Sequence, residues 1–120
     1  MYEVNRSVFL LIPLQPFWVW LQDLPNINLD ELSLSILQQA ANAYLIPTCA
    51  DNEEMWIEIE QRYQRIFTAE LADWCEDENL WPPLTLDKFK EWFQVKLSMI
   101  VTDLAQEELA REEFIPIEFN

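Results

Sequence analysis

The chain has 120 residues, 22 of them acidic and only 7 basic, giving a formal charge of −15. That balance argues against nucleic acid or an anionic membrane as partner, since a polyanion is repelled and no Lys or Arg cluster exists to release counterions. Glycine and histidine are both absent, which removes the usual general base, the commonest metal ligand, and the phosphate loops and nucleophile elbows that need a glycine.

Hydrophobic residues make up 51% of the sequence, enough for a core and too many for a disordered chain. The length predicts one globular domain over 1–120, with residues 104–120 as a loosely attached tail. Near the start, the apolar run 8–14 is separated by Gln15 from a second run, 16–21. Neither is long enough to span a bilayer, and no small-residue cleavage site follows, so a buried strand and a helix are expected rather than a signal peptide.

In chain order, residues 7–12 are apolar on both faces and end at Pro13, the pattern of a central strand covered on both sides. Pro16 suits a first helical position, and the helix runs to about Leu24 before Pro25; Phe17, Trp20, Leu21 and Leu24 form its buried face. Asn28 and Glu31 have capping-box spacing and predict a second helix with Leu29, Leu32, Ile36 and Ala40 along one side. Residues 43–46 form a second strand closed by Pro47, and a right-handed crossover would set the first two strands parallel.

Asp51 and Glu54 open the clearest element. Trp56, Ile59, Tyr63, Ile66, Phe67, Glu70 with Leu71, and Trp74 recur at helical spacing over about five turns. Glu58 and Arg62 lie four apart on its outer face in the favourable order. Residues 73–83 make an acidic turn, and Thr85 caps a short helix with Leu86, Phe89 and Phe93 inward. Val95, Leu97, Met99 and Val101 alternate with polar residues, giving a strand covered mainly on one face, with Ile100 as the exception. Residues 103–113 predict a helix, and residues 114–119 an edge strand, confined there by Pro116. The order βα(α)βααβ describes an α+β domain: a small mixed sheet of three strands, or four with the tail, packed on about four helices.

Carboxylates are the only plentiful titratable groups, so an enzyme here would use them. The densest set is Asp73, Glu76, Asp77 and Glu78, beside Trp74, Cys75 and Trp81, from which an acid–base pair or a hard-cation site can be drawn. Its calcium-loop spacing and glycine are missing, and the plain reading is a solvated loop. Were the strands parallel, ligands would bind beyond their C-terminal ends, near Pro13, Leu14, Gln15, Pro47, Thr48, Cys49 and Asp51. Phosphate is disfavoured there because Asp51, Glu53 and Glu54 already occupy the positive end of the long helix. Cys49 lacks any group to lower its pKa, and it is too far in sequence from Cys75 to form a CxxC pair. Both are expected as reduced cytoplasmic thiols, with no metal, cofactor or catalytic residue assigned.

Trp20, Trp56 and Trp74 fall on inner faces. Trp18 lies about 200° round the helix from Trp20, Trp92 flanks its helix, and Trp81 sits in the proline-bounded loop. Trp18, Trp81 and Trp92 are therefore candidates for an exposed aromatic patch framed by Asp77 and Glu78, the alternative being that packing absorbs them.

Asn5-Arg6-Ser7 running into Pro13, Gln15-Pro16-Phe17, and the stretch 43–47 belong with Asp73-Trp74-Cys75, Trp81-Pro82 and the stretch 89–103 containing Trp92-Phe93. Together these resemble a group of small acidic bacterial proteins of unknown function, over most of residues 5–104. The resemblance implies a bacterial, cytoplasmic protein and supplies no catalytic residues. The expectation is a non-enzymatic accessory, adaptor or inhibitor-like domain that binds a protein with a basic surface. The alternatives are a carboxylate- or metal-dependent enzyme working through residues 73–78, and a homodimer that buries Trp18 and Leu34 across a two-fold axis.

Overall fold

The most apolar run of the chain becomes the middle strand of its sheet. In the computed structural model, which describes residues 1–116, β1 (Tyr2–Glu3) is followed by β2 (Arg6–Pro13). β2 lies between β3 (Asn42–Pro47) and β4 (Phe93–Ser98), antiparallel to both. β1 pairs with β5 (Thr102–Asp103) in a separate two-stranded ribbon. Ser7, Phe9, Leu11 and Pro13 face inward and are buried. Val8 and Leu10 face out with Leu45, and Leu10 and Leu45 are exposed. The central position is as expected; the second cover is not there among the described residues.

The fold is α+β, but its first two long strands run antiparallel, against the expected crossover. Between β2 and β3 lie α1 (Gln15–Gln22) and α2 (Leu34–Gln39). Neither carries the chain back to the far end of the sheet. Gln38 of α2 donates its side-chain N–H to the carbonyl of Pro13 at 3.0 Å, and β3 begins with Asn42 opposite Leu11. The excursion returns to the end it left, so the next strand must run the other way. Pro13 and Pro47 therefore sit at opposite ends of the ladder, and the ligand-binding edge expected of a parallel pair does not form.

α2 also begins later than expected. Asn28 accepts the Asp30 amide at 3.0 Å in an Asx turn, and Ser33 is the cap, accepting from Ile36 N at 3.2 Å. A short polar side chain that bonds two residues ahead favours a turn over a helix start. Asn26 takes φ 59°, the left-handed region that a chain without glycine assigns to asparagine.

The predicted five-turn helix is two: α3 (Asn52–Glu60) and α4 (Tyr63–Ala72). Arg62 leaves helical geometry at φ −133°, ψ −2°, and its amide bonds Ile59 O at 2.8 Å. Its guanidinium donates to both the carbonyl and the carboxylate of Glu58, at 2.9 and 2.6 Å. The ion pair expected to brace a continuous helix instead satisfies a free carbonyl at the end of α3. The break lets Met55 and Ile59 from α3 and Ile66, Phe67 and Leu71 from α4 each reach the core.

Thr85 caps α5 (Leu86–Trp92) as expected, accepting from Lys88 N at 3.2 Å, and β4 follows without a loop. β4 alternates covered and exposed positions as its sequence implies, Phe93 buried and Val95 and Leu97 half-buried, then breaks at Met99 and Ile100. Phe67 is the hub of the core, with ring centroids 5.9, 5.7 and 5.6 Å from Phe89, Trp92 and Phe93. Trp56 and Trp74, expected on inner faces, are half-buried against it. Lys90 Nζ lies 5.0 Å from the Trp56 ring centroid.

Residues 104–116 form neither helix nor strand and are exposed throughout, which corrects the helix expected over 103–113. Leu104, Leu109, Phe114 and Ile115 do not fall on one helical face, and a short helix with no stripe to bury is marginal in water. Of the edge strand expected over 114–119, residues 114–116 are irregular; the rest lies outside the described residues.

Candidate functional site

An apolar groove of about 520 Å³ opens where α1, α5 and the loop after α4 meet. Pro16, Val19 and Trp20 of α1, Trp92 of α5, and Trp81 and Pro82 of the loop form its walls. The loop is held by tryptophan hydrogen bonds. Trp20 Nε1 donates to Leu80 O at 2.8 Å, and Trp81 Nε1 donates to Cys75 O at 2.8 Å. A 3-10 turn, Glu78–Leu80, is capped by Asp77, whose carboxylate accepts Asn79 N at 3.0 Å. With both indole N–H groups satisfied inside the protein, the rings are free to cover apolar ligand surface at little polar cost. No Lys or Arg lines the groove.

The expected aromatic trio does not assemble as such. Trp81 is half-buried and lines the groove. Trp92 is a core residue at 8% exposure, which corrects its place in an exposed patch. Helix α5 ends at Trp92, and Phe93 turns into β4, so Trp92 falls three residues after Phe89 on the inner side of the last turn. Its ring centroid lies 6.2 Å from that of Phe17 and 6.1 Å from that of Trp20, and it also lines the groove. Trp18 is half-buried and lines another side of α1. Asp77 and Glu78 are exposed on the turn that delivers Leu80 and Trp81.

Trp20 is the groove residue that the sequence reading passed over. Phe17 and Leu21 set the buried stripe of α1. At about 100° per residue, Trp18 and Trp20 each lie roughly 80° from its centre, on opposite flanks, while Val19 points away. Both tryptophans are therefore half-buried, and neither is simply in or out. The Trp-Val-Trp spacing carried that signal.

The acidic loop does not converge. Asp73 lies just past α4, whereas Glu76, Asp77 and Glu78 are exposed beyond it. Among the described residues no three His, Cys, Asp or Glu side chains are placed to hold a metal ion. Cys49 is buried, and its thiol donates to Pro47 O at 3.2 Å. Burial pushes its pKa up, and the charges of Glu58, Glu54 and Asp51 add to that. A thiol held neutral is a poor nucleophile. Alkylation of the native protein at neutral pH is expected to label Cys75 first, with Cys49 reacting only on unfolding; mass mapping that finds Cys49 labelled first would refute this.

One buried carboxylate joins sheet to helix. Glu70 of α4 accepts the Tyr44 hydroxyl at 2.6 Å and the Asn42 amide at 3.0 Å, both on Oε1. Burial pushes the Glu70 pKa up, and the charge of Asp73 adds to this, while the two hydrogen bonds pull it down. Burial, and then the Glu70 charge, push Tyr44 up as well. Glu70 shares the inner stripe with Phe67 and Leu71, so a carboxylate at a core register was visible in the sequence; its partners on β3 were not.

A carboxyl whose folded pKa exceeds the unfolded one contributes stability that is fully present below the ordinary value of 4.5. That stability is lost as pH rises through the folded value. Glu70→Gln keeps an acceptor for Tyr44 and Asn42 but cannot ionise. The variant is therefore expected to gain stability relative to wild type as pH rises above the ordinary carboxylate value of 4.5, followed over about pH 4 to pH 8. Urea unfolding across that range measures the difference, and parallel curves would contradict the shift.

No family model, curated protein or solved structure matches this chain.

Proposed function

We propose that this chain is a non-enzymatic protein-interaction domain of a bacterial cytoplasm, binding a partner with a basic surface. The observation that carries this reading is the groove of Trp20, Trp81 and Trp92, apolar except for Gln15 and without a cation among its walls. Large aromatics in a cleft are the usual anchors of protein binding energy. Asp77 and Glu78 stand on the turn that forms one wall, and the chain as a whole carries −15. Opposite charge on a partner would speed encounter and orient docking, and the apolar walls would hold what arrives. The ligand class is a protein segment with an apolar side chain for the groove and Lys or Arg beside it. An accessory, adaptor or inhibitory role is compatible with such a surface.

The test is affinity capture from a bacterial lysate, with wild type beside Val19→Lys and the double variant Asp77→Asn, Glu78→Gln. Val19 is exposed on α1, so the lysine changes the groove without touching the core. Val19→Lys is expected to lose the captured protein by more than about tenfold at unchanged melting temperature. The double variant should bind several-fold more weakly with a shallower salt dependence, because exposed charges are screened within about 8 Å at physiological ionic strength. A partner retained equally by all three proteins, or as tightly at about 1 M salt as at 0.1 M, would refute the reading.

A further inference from the structure

On the other side of α1 from the groove lies a smaller pocket of about 260 Å³, bounded by Leu11, Phe17, Leu37, Glu70, Asp73 and Trp74. We propose that it binds the ammonium or guanidinium group of a small organic cation, with Glu70 and Asp73 as the charge partners. Glu70 is nine-tenths buried, at 9% exposure. Its Oε1 is occupied by Tyr44 and Asn42, while Oε2 accepts no hydrogen bond from any described residue. No buried side-chain oxygen among those residues lacks a partner, so Oε2 is not fully buried, and Glu70 lines the pocket.

The two carboxylates are close enough for the Asp73 charge to push the Glu70 pKa up, and no basic residue lines the pocket to offset them. The ion pairs among the described residues, Arg62 with Glu58 and Lys88 with Glu91, lie elsewhere. A bare metal ion fits the lining poorly. It would need six or more oxygens, and beyond Glu70, Asp73 and Asn42 the lining side chains offer none. An alkyl cation suits both halves: its charged end meets Glu70 Oε2 and Asp73, and its carbon chain meets Leu11, Phe17 and Leu37. Trp74 adds an aromatic wall of the kind that attracts organic cations. The volume lies below the usual range for drug-sized ligands, about 300–1,000 Å³, so the guest is a few heavy atoms. It is either a free amine or the tip of a Lys or Arg side chain.

Binding would fix Glu70 in its ionised form. Where the free protein holds a proton there, each bound cation displaces it to solvent, so affinity rises with pH by up to about tenfold per unit until the carboxyl is ionised.

The test is isothermal titration of the full chain with butylamine and with methylguanidine at two pH values, with butanol as the neutral control and sodium chloride at matched ionic strength. Expected are saturable binding of at least one cation, tighter at the higher pH, and no response to butanol or salt. Glu70→Gln should lose binding at least tenfold. Asp73→Asn, at an exposed position, should weaken it several-fold, a second readout from outside the core. A capped lysine or arginine peptide tells the sources apart: tenfold tighter binding than the free amine assigns the pocket to a partner's side chain, and weaker binding assigns it to a free amine. No saturable binding, or equal binding by both variants, overturns the proposal. The groove is not involved, and Val19→Lys should leave cation binding unchanged.

Discussion

Replacing Trp92 by alanine is expected to destabilise the protein by about 3–5 kcal/mol, a large part of the 5–15 kcal/mol typical of a domain. Trp92 is 8% exposed, and its ring lies between Phe17, Trp20 and Phe67, at 6.2, 6.1 and 5.7 Å. Removing it opens a cavity bounded by three aromatic rings, which cannot collapse without moving α1 against α4. The groove would lose one of its walls in the same step. Denaturant unfolding should show a lower midpoint with an unchanged slope, and a loss below about 1 kcal/mol would mean that Trp92 is not a core residue. The consequence for function is practical. Loss of partner binding in a Trp92 variant reports on folding, whereas Val19→Lys reports on the groove itself.

The second large effect is expected at Ser7→Ala. Ser7 is fully buried on β2. Its hydroxyl donates to Met99 O and accepts from the amide of Cys49, each at 2.9 Å. One oxygen thus ties the first long strand to the segment after β4 and to the segment after β3. Alanine fills nearly the same space but leaves the buried Cys49 N–H without an acceptor, at a cost of about 1–3 kcal/mol. Native-state hydrogen exchange should show the Cys49 amide exposed more readily in the variant, alongside the lower unfolding free energy. Wild-type stability with unchanged exchange would show that water replaces the hydroxyl there.

These expectations differ in how far the linear pattern announces them. The strand at β2, the caps at Asp51 and Thr85, and the alternation along β4 are local matters. Each is written in the spacing of polar and apolar residues over fewer than about ten positions, where periodicity carries information. Ser7 was unremarkable by that measure, since its two partners lie far away in sequence. Glu70 was half legible: its register gave away burial, but Tyr44 and Asn42 come from a strand whose direction was expected to be the reverse. Trp20 and Trp18 exchanged emphasis because a helix of eight residues has flanks as well as faces.

The aromatic groove shows the same division. Trp81 in a proline-bounded loop was a reasonable candidate from sequence. That the loop presents it beside Trp20 follows from two hydrogen bonds, Trp20 Nε1 to Leu80 and Trp81 Nε1 to Cys75. Arg62 is a parallel case. Its pairing with Glu58 was predicted correctly, yet the pair ends a helix instead of bracing one, because the guanidinium also reaches the Glu58 carbonyl.

Composition alone determined the chemistry this molecule lacks. A chain with no imidazole, no glycine and a charge of −15 lacks the histidine base and the glycine-built loops that many sites use, wherever its atoms end up. Local pattern determined which segments become helix or strand, because capping and side-chain periodicity act over a single turn or ladder step. The antiparallel order, the break before α4, the burial of Trp92 and the pocket beside Glu70 were decided only when distant segments met. Strand direction depends on where a connection returns, and the fate of a half-apolar side chain on which neighbour arrives to cover it.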